Sequence, residues 1–379
     1  MVAEAAFAWL RHRLTIESLL EQRGAIRGHG SDDIAHALAA LARHFGSGLA
    51  VPDGEADRYQ SFCAALSGWA PHARHELPAW LWDRLGRDFG DRRTALADAL
   101  LQPAPLDLRV NTLKARRDET LARLRQDGLD DAVPTPYATD GVRIPHRTGR
   151  RLDLSYHPLF KAGAFEVQDE GSQLLAAFVG AKRGEHVIDF CAGAGGKTLA
   201  LAAMMRGSGR IYACDTHERR LGNLAPRLAR SGADNVQTIV LTSERDPRLD
   251  RWLGKADRVL VDAPCSGLGT LRRNPELKWR QTPQSLRDLT GLQISILDAA
   301  ARLVRSGGVL VYATCSLLRE ENDAIVEAFE SAQGGAWMPR EDCPPAVQEA
   351  TRDGSRLRLT PDLHGCDGFF AAAWIRRPG

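Results

Sequence analysis

The strongest constraint on the fold is an alternation of strand and helix signals from about residue 163 to the carboxyl terminus. Short apolar runs, which are typical of buried parallel strands, recur between amphipathic segments. The predicted strands are His186–Phe190, Arg210–Cys214, Val236–Leu241, Arg258–Val261, Gly308–Ala313 and Gly368–Ile375. The predicted helices include His217–Arg230, Pro283–Arg305 and Arg319–Glu330. This order predicts an α/β fold with an open, doubly wound sheet, in which ligands bind at the carboxyl ends of the strands.

Two further regions precede the sheet. Residues 1–103 show helical patterns, for example over 34–41 and 80–85. Pro103 and Pro105 end the helical pattern, and the alternating run Leu106–Val110 then predicts a strand. A helix over 113–128 and a strand over 142–144 follow. We therefore predict an all-helical N-terminal domain over 1–103, a small α+β domain over 104–162 and the sheet domain over 163–379.

The charged residues of the 379-residue chain nearly cancel, because 50 Lys and Arg face 48 Asp and Glu. A net charge of +2 excludes a polybasic tail protein and an acidic disordered one. Residues 104–162 differ from this average, with 11 basic and 8 acidic residues. A basic cluster in this region could contact phosphates, although a solvated loop explains it equally well. The cluster consists of Arg143, His146, Arg147, Arg150 and Arg151.

Two absences in the sequence bear on location and on metals. No apolar run reaches the length of about 18 residues that a membrane span needs, and the first ten residues lack a basic segment. These features predict a soluble, cytoplasmic protein. The seven Cys include no CxxC pair, which argues against a disulfide framework and against a cysteine zinc site. We therefore expect no bound metal.

A glycine-rich turn follows the first strand of the sheet domain. It reads Asp189-Phe190-Cys191-Ala192-Gly193-Ala194-Gly195-Gly196-Lys197-Thr198 and leads into a helix, whose first N–H groups are free to bind a ligand. A P-loop would need glycine at Cys191, and a dinucleotide fingerprint would need glycine at Thr198. The turn therefore predicts a site for another nucleoside-type cofactor.

A carboxylate follows the second strand of the sheet domain. Asp215 lies 19 residues after Gly196, where an acidic side chain can accept hydrogen bonds from ribose hydroxyls. The same residue could instead cap the helix that begins near His217. Its spacing from the glycine-rich turn favours the ribose interpretation.

Cysteines follow two neighbouring strands. One lies in Asp262-Ala263-Pro264-Cys265-Ser266-Gly267 after the fourth strand, and the other lies in Thr314-Cys315-Ser316 after the fifth. A single Cys at a strand end is most often a small buried apolar residue. Two of them at the ligand-binding edge of one sheet, one beside an Asp, indicate a reactive site.

These segments together resemble the motifs of the RNA 5-methylcytosine methyltransferases of the RsmB/Nop2/Sun family, in particular its bacterial RsmB-like members. Further similarity lies in Gln168-Asp169, in the run Leu108-Arg109-Val110-Asn111-Thr112-Leu113-Lys114 and in Asp367-Gly368-Phe369-Phe370, so that it covers roughly residues 104–379. The resemblance implies a Rossmann-like methyltransferase sheet, S-adenosyl-L-methionine as cofactor, and a cytosine in structured RNA as substrate. Ribosomal RNA is the expected partner, with transfer RNA possible, and a monomer is expected. Residues 1–103 match the NusB-like helical extension of the family in position and character only.

The resemblance also implies residue roles. Cys315 is expected to add to C6 of cytosine, which turns the ring into a carbon nucleophile. Cys265 is expected to serve the release of the methylated product, and Asp262 to hold a proton against N3 and to contact the cofactor. The expected cofactor contacts are Cys191, Ala192, Gly193, Ala194, Gly195, Gly196, Lys197, Asp215 and Asp262, and the expected RNA contacts are Asn111, Lys114, Arg147, Arg272, Arg273 and Lys278.

The sequence departs from the family pattern at two cofactor positions. Ala194 stands where the family commonly has Pro, and Leu241-Thr242-Ser243 stands where it usually has an Asp for the adenosine. A DNA cytosine methyltransferase would use the Cys of Pro264-Cys265 as nucleophile, and the presence of Cys315 favours RNA instead. For the basic run 272–280, a solvated loop with Trp279 packed on the body is the alternative to RNA contact. For the whole chain, the alternative is an RNA-binding ribosome-assembly factor that retains a methyltransferase fold.

Overall fold

The computed structural model of the protein describes residues 10–15, 70–145, 153–351 and 356–378, which belong to two compact units. The first unit consists of Met1–Pro103, His146–Leu152 and Thr270–Thr282, and the second of Ala104–Pro145, Asp153–Gly269 and Pro283–Gly379. One division between the two units falls after Pro103. The segment 104–162 does not separate from the sheet domain in this division, and Thr270–Thr282 joins the N-terminal unit.

The N-terminal unit is helical in its described part. The pattern over 80–85 falls in a helix that buries Leu81, Trp82 and Leu85, which confirms the predicted helix. The Trp82 ring is stacked on His75 at 4.9 Å and covered by the Arg93 guanidinium at 4.0 Å. The pattern over 34–41 lies outside the described residues. Among the described residues of this unit, the helices with defined bounds are Pro71–Arg74, Ala79–Phe89, Arg93–Leu101 and Leu277–Arg280.

A small antiparallel sheet opens the second unit. Its four strands lie in the order β2-β3-β1-β4, and a helix, Arg117–Gln126, buries Leu121 and Leu124. The last strand lies beyond residue 162, so the predicted boundary at that position would cut the sheet, because β4 pairs directly with β1. The strands are β1 Leu106–Val110, β2 Val133–Pro134, β3 Gly141–Ile144 and β4 Phe165–Val167.

The large sheet confirms the predicted open α/β architecture. Its order is β10-β12-β9-β8-β5-β6-β7, with β11 paired to β12. The five strands β5 to β9 run parallel, whereas β12 is antiparallel to β9. The strands are β5 His186–Asp189, β6 Arg210–Asp215, β7 Val236–Val240, β8 Ala256–Asp262, β9 Val304–Thr314, β10 Trp337–Pro339, β11 Arg356–Leu359 and β12 Phe369–Arg376.

Helices cover both faces of this sheet, because successive strand residues point to opposite sides. On one face, Ile188 and Val259 pack in a cluster with Leu297. On the other face, Val187 and Leu260 pack in a cluster with Leu175. The helices of this unit are Arg117–Gln126, Pro158–Lys161, Glu170–Val179, Gly196–Met204, Glu218–Gly222, Leu224–Ser231, Pro283–Ala301, Asp323–Ala332, Pro345–Thr351 and Pro361–His364.

Three predicted helices differ in extent from those observed. The segment 217–230 forms two helices separated at Asn223, because Pro226 has no N–H to donate to the carbonyl of residue 222. The segment 283–305 is helical only to Ala301, since Val304 already begins β9. The segment 319–330 starts as a single 3-10 turn and becomes an α-helix only after Asn322. None of the helices in the described ranges is long and apolar enough to cross a membrane.

Candidate active site

The glycine-rich turn leads from β5 into the helix Gly196–Met204. Gly193 and Gly195 have φ values of 55° and 79°, which residues with a side chain rarely adopt. A Cβ on Gly195 would lie 2.2 Å from Leu224 Cδ1. The N–H of Ala192 donates to Cys214 O at 2.8 Å, which ties the turn to the end of β6. The turn is therefore held close to the edge of the sheet.

Asp215 at the end of β6 connects the same turn to the next helix. Its Oδ2 accepts from the N–H of Gly193 at 2.8 Å, and its Oδ1 accepts from the N–H of His217 at 2.8 Å. The helix Glu218–Gly222 has His217 at its N-cap, so the bond to the His217 N–H closes a turn before the helix and does not make Asp215 its cap. The bond to Gly193 places the carboxylate beside the proposed cofactor turn, as the ribose interpretation requires.

Asp189 is a buried carboxyl group at the end of β5. Its Oδ2 accepts from Thr198 Oγ1 at 2.7 Å, whereas Oδ1 has no hydrogen-bond partner in the described part of the chain. Burial and the nearby Asp262 charge raise the pKa of Asp189 to about 7, although the Thr198 hydrogen bond lowers it. A buried acceptor without a donor fits a ligand that brings a positive charge or an N–H group.

Lys197 and Asp262 form an ion pair beside the two cysteine loops. Lys197 Nζ donates to Asp262 Oδ2 at 2.7 Å, and it lies 5.4 Å from the centre of the Phe369 ring. Burial lowers the pKa of Lys197, but the charges of Asp262, Cys315 and Asp189 outweigh burial and leave it raised. Lys197 thus places a positive charge near Cys315. The sequence alone did not identify such a group.

The two predicted catalytic cysteines come together. Cys265 Sγ lies 3.4 Å from Cys315 Sγ, within hydrogen-bond distance for sulfur. The hydrogen bond with Cys315, burial, and the negative charges of Cys315 and Glu321 raise the pKa of Cys265 well above its ordinary value, against a lowering by the Gly267 N–H. Parallel pairing of β8 with β9 produces this meeting, because both loops leave the same edge of the sheet.

Close backbone packing fixes the loops that carry the cysteines. The N–H of Gly269 donates to Cys315 O at 2.8 Å, and the N–H of Gly368 donates to Gly269 O at 2.8 Å. A Cβ on Gly269 would lie 2.3 Å from Gly368 O and 2.8 Å from Cys315 O. The run Asp367–Phe370 singled out in the sequence therefore supports the catalytic loops directly.

Sequence reasoning missed Ser266, Ser316 and Glu321. Both serine hydroxyls donate to the carboxylate of the fully buried Glu321. One signal was present in the sequence, because each of the two cysteines is followed by Ser. The sequence gave no such signal for Glu321, because this residue lies in a segment with the pattern of an amphipathic helix.

Two of the predicted RNA contacts have internal partners in the second unit. The buried Asn111 donates from Nδ2 to Gly163 O at 2.9 Å and to Ser231 O at 2.8 Å. Lys114 Nζ donates to Arg230 O at 2.6 Å and to Ala162 O at 3.1 Å. Two of these acceptors, Arg230 O and Ser231 O, lie at the end of the helix Leu224–Ser231, where helix carbonyls lack partners within the helix. The bonds to them therefore join the small-sheet segment to a helix of the large sheet. The structure thus gives both residues a structural role.

The basic run 272–280 lies in the N-terminal unit. Arg272 is 8% exposed and donates from Nη2 to Pro103 O at 3.1 Å. Lys278 is 2% exposed and donates to Arg11 O, and burial lowers its pKa to about 7 although Glu76 raises it. Trp279 Nε1 donates to Leu10 O at 2.8 Å, so the indole packs within its own unit.

Burial therefore separates the predicted RNA contacts into groups. Arg272 and Lys278 are buried, which fits neither RNA contact nor a solvated loop. Only the packing of Trp279 agrees with the alternative, and Arg273 is partly exposed. Arg147 lies outside the described residues.

The loop after β7 closes on itself. Asp246 Oδ2 accepts from the N–H and the hydroxyl of Thr242 at 2.8 and 2.9 Å, and its Oδ1 accepts from the N–H of Arg248. Asp246 thus begins the next 3-10 helix, and the adenine contact stays unassigned. Across the described ranges, no group of three or more His, Cys, Asp or Glu could hold a metal ion.

The open sheet, with its ligand-binding edge after β5, β6, β8 and β9, defines a Rossmann-like methyltransferase domain. A family model described as 16S rRNA methyltransferase RsmB/F matches residues 176–375. A second model, described as the ferredoxin-like domain of RsmF/B-like methyltransferases, matches residues 77–149. The chain belongs to the RsmB/F family.

Relatives extend this similarity over most of the chain. A probable ribosomal RNA small subunit methyltransferase B of Synechocystis is 36% identical over 301 residues, which are 79% of this chain and 66% of that protein. Ribosomal RNA small subunit methyltransferase B of Escherichia fergusonii is 33% identical over 81% of this chain and 68% of that protein. The crystal structure of a methyltransferase homolog from Pyrococcus horikoshii has a TM-score of 0.67 at 30% identity, over 81% of this chain and 100% of that one. The chain spans about two thirds of the length of the two curated relatives.

Proposed function

We propose that the protein transfers a methyl group from S-adenosylmethionine to C5 of a cytosine in RNA, through a covalent bond between Cys315 and C6. The observation that carries the proposal is the Cys265–Cys315 pair, with its sulfurs 3.4 Å apart beside the glycine-rich turn. Family membership and the names of the relatives favour RNA of the small ribosomal subunit as the substrate.

The residues around the turn fit the proposed cofactor. The N-terminal N–H groups of Gly196–Met204 and the Asp215 carboxylate would hold its polar nucleoside portion. The carboxyl groups of Asp189 and Asp262 would face its positive charges, and Asp189 Oδ1 lacks a hydrogen-bond donor within the described residues. When bound, S-adenosylmethionine supplies an electrophilic methyl group.

The first step that this chain performs is activation of the base. Cytosine C5 is a weak nucleophile, and addition of the Cys315 thiolate to C6 places electron density on C5. Lys197 holds positive charge near both Cys315 and Asp262. A proton on the Asp262 carboxyl, of which 28% of the side chain is exposed, would offset the negative charge that arrives at N3.

The release step is proposed for Cys265. While Cys315 is a thiolate, its charge and hydrogen bond keep the proton on Cys265, because they raise the pKa of Cys265. Once Cys315 is bonded to C6 as a neutral thioether, that charge is gone and Cys265 can lose its proton to solvent. The Cys265 thiolate then accepts the C5 proton, the electron pair reforms the C5–C6 double bond, and the Cys315 thiolate leaves.

RNA contact is also proposed for Arg147 and Arg273. We leave Asn111, Arg272 and Lys278 out of this proposal, because these three side chains are buried. Lys114 is exposed, but two carbonyls already accept from its ammonium group. A target base that lies in an RNA helix would have to leave the base stack to reach the two sulfurs.

The test is methyl transfer from radiolabelled S-adenosylmethionine to RNA from an unmodified strain. We expect label at 5-methylcytosine in small-subunit ribosomal RNA. Cofactor binding without transfer to any RNA would contradict the proposal. Such a result would favour the alternative, an RNA-binding ribosome-assembly factor. That alternative predicts that the Cys315→Ala protein replaces the wild-type protein fully in the cell.

A further inference from the structure

A buried carboxylate connects the two cysteine loops. Glu321 Oε1 accepts from the N–H of Ser266 at 2.8 Å, and Oε2 accepts from the Ser266 hydroxyl at 2.5 Å. The same Oε2 accepts from the Ser316 hydroxyl at 2.5 Å. Ser266 directly follows Cys265 and Ser316 directly follows Cys315. One side chain therefore holds the backbone on the carboxyl side of each cysteine.

Neighbouring groups hold Glu321 itself in place. Gln293 donates from Nε2 to Glu321 Oε1 at 3.0 Å and to Pro264 O at 2.9 Å, so a third contact reaches the loop of Cys265. The Tyr312 hydroxyl donates to Glu321 O at 2.7 Å. Asn322 donates from Nδ2 to Ser316 O at 3.0 Å. Glu321, Gln293 and Asn322 are each at most 1% exposed, so water has little access to these hydrogen bonds.

From this geometry we propose that Glu321 is a positioning residue of the active site, which sets the distance between the Cys265 and Cys315 sulfurs by binding the serine that follows each cysteine. The inference deepens the proposed function, on which its catalytic consequence rests. The network requires a carboxylate at this position, because four donors converge on two oxygens. A glutamine would turn one of those acceptors into a donor.

The charge of Glu321 gives it a second effect on the same pair. The charged groups that act on Cys265 are Cys315 and Glu321, and both raise the pKa of the Cys265 thiol. The Glu321 charge therefore favours Cys265 as the member of the pair that keeps its proton. Removal of that charge lowers the pKa of Cys265, because a thiolate beside a neutral amide is less unfavourable than one beside a carboxylate.

The experiment compares Glu321→Gln, Glu321→Ala and Ser316→Ala in the full chain. The first readout is the pH dependence of Cys265 alkylation by iodoacetamide in a Cys315→Ser background, followed by mass spectrometry of the Cys265 peptide. We expect the midpoint of this profile to move to lower pH in Glu321→Gln. The second readout is methyl transfer, for which we expect kcat to fall by on the order of 100-fold in Glu321→Ala, with KM for RNA little changed. Ser316→Ala removes one contact and is expected to lower kcat less.

Glu327→Gln is the matched control, because it makes the same change of charge in an exposed residue that pairs with Arg319 at the surface. We expect it to leave both readouts at wild-type values. A folded Glu321→Gln protein with a wild-type alkylation profile and wild-type kcat overturns the proposal. Thermal unfolding identifies loss of folding. If Glu321→Gln does not fold, the kcat of Ser316→Ala decides the matter, and a wild-type kcat in that variant overturns the proposal. The alkylation profile does not depend on methyl transfer. A shifted profile in a protein that transfers no methyl group would therefore support the role of Glu321 and contradict only the proposed function.

Discussion

The Sγ atoms of Cys265 and Cys315 lie 3.4 Å apart, although 50 residues separate them in the chain. The Cys265 loop follows β8 and the Cys315 loop follows β9, and these strands are parallel neighbours. The distance allows one sulfur to donate its proton to the other, and it also allows both to contact one pyrimidine ring. The first two predictions follow from this pair.

Single alanine variants should separate the roles of the two cysteines. We expect Cys315→Ala to abolish methyl transfer, because no thiolate can then add to C6. We expect Cys265→Ala to accumulate a covalent RNA adduct, because the C5 proton has no acceptor after methylation. Denaturing gels of protein incubated with RNA and S-adenosylmethionine would show the adduct as a band of lower mobility. The reverse pair of phenotypes would show that the roles have been exchanged.

Hydrogen peroxide should link the same two sulfurs. The Cys315 thiolate attacks the peroxide to give a sulfenic acid and hydroxide, and Cys265 then displaces water from that sulfur to form a disulfide. A disulfide needs a sulfur separation of about 2 Å, which a small loop movement provides from the present distance. We expect a Cys265–Cys315 peptide in unreduced digests and recovery of activity with dithiothreitol. Cys343 serves as the internal control, and peroxide that oxidises Cys343 while both active-site thiols stay free would contradict the prediction.

The parts of this site differ in how far the sequence reveals them. The strands β5 to β9 are short apolar runs, and their parallel order brings their carboxyl ends together, so the meeting of the cysteine loops follows from pattern alone. The role of Glu321 depends on contacts with β8 and β9 loops that no local pattern encodes. Burial of Lys278 and Arg272 is also a tertiary effect, because isolated basic residues are ordinarily exposed.

Removal of the Lys197 ammonium should impair methyl transfer. Lys197→Met leaves Asp262 without its cation at 2.7 Å and removes positive charge from the vicinity of Cys315. We expect kcat/KM to fall by about 100-fold, the size of effect seen when one preorganised electrostatic partner is lost. Lys182→Met, at an exposed position, is the control and should behave as wild type. A Lys197→Met enzyme of wild-type activity would show that the ion pair has no part in the reaction.

Asp189 should impose a pH dependence on stability. In the folded protein burial raises its pKa to about 7, against an ordinary value of 3.8. Between these two pH values the unfolded chain releases a proton that the folded chain retains, so the contribution of Asp189 to stability falls as pH rises through this window. The asparagine of Asp189→Asn does not titrate. In the absence of cofactor, we expect the melting temperature of this variant, relative to that of wild type, to be higher at pH 8 than at pH 4.5.

Asp257 supplies the control of opposite sign. Burial raises the pKa of Asp257, but hydrogen bonds from the His186 N–H and from Arg305 outweigh burial and lower it. Its contribution to stability is therefore present above the ordinary pKa and is lost as pH falls. Asp257→Asn should have a lower melting temperature than wild type at pH 7, and this difference should shrink as pH falls below 3.8. A melting difference between Asp189→Asn and wild type that is constant with pH would refute the raised pKa.

Gly269 should tolerate no side chain. Its Cβ would lie 2.3 Å from Gly368 O and 2.8 Å from Cys315 O, and both of these are backbone atoms that cannot swing away. We expect Gly269→Ala to lower the free energy of unfolding by about 1–3 kcal/mol, the usual cost of overpacking, and to reduce kcat by displacing the Cys315 loop. Gly291→Ala is the matched control in the middle of the helix Pro283–Ala301, where a Cβ has nothing within 4 Å. That change should instead stabilise the protein by about 0.5–1 kcal/mol, because alanine favours helix more than glycine does. Urea unfolding of the three proteins measures both effects, and equal shifts in the two variants would show that the backbone crossing at Gly269 does not constrain the site.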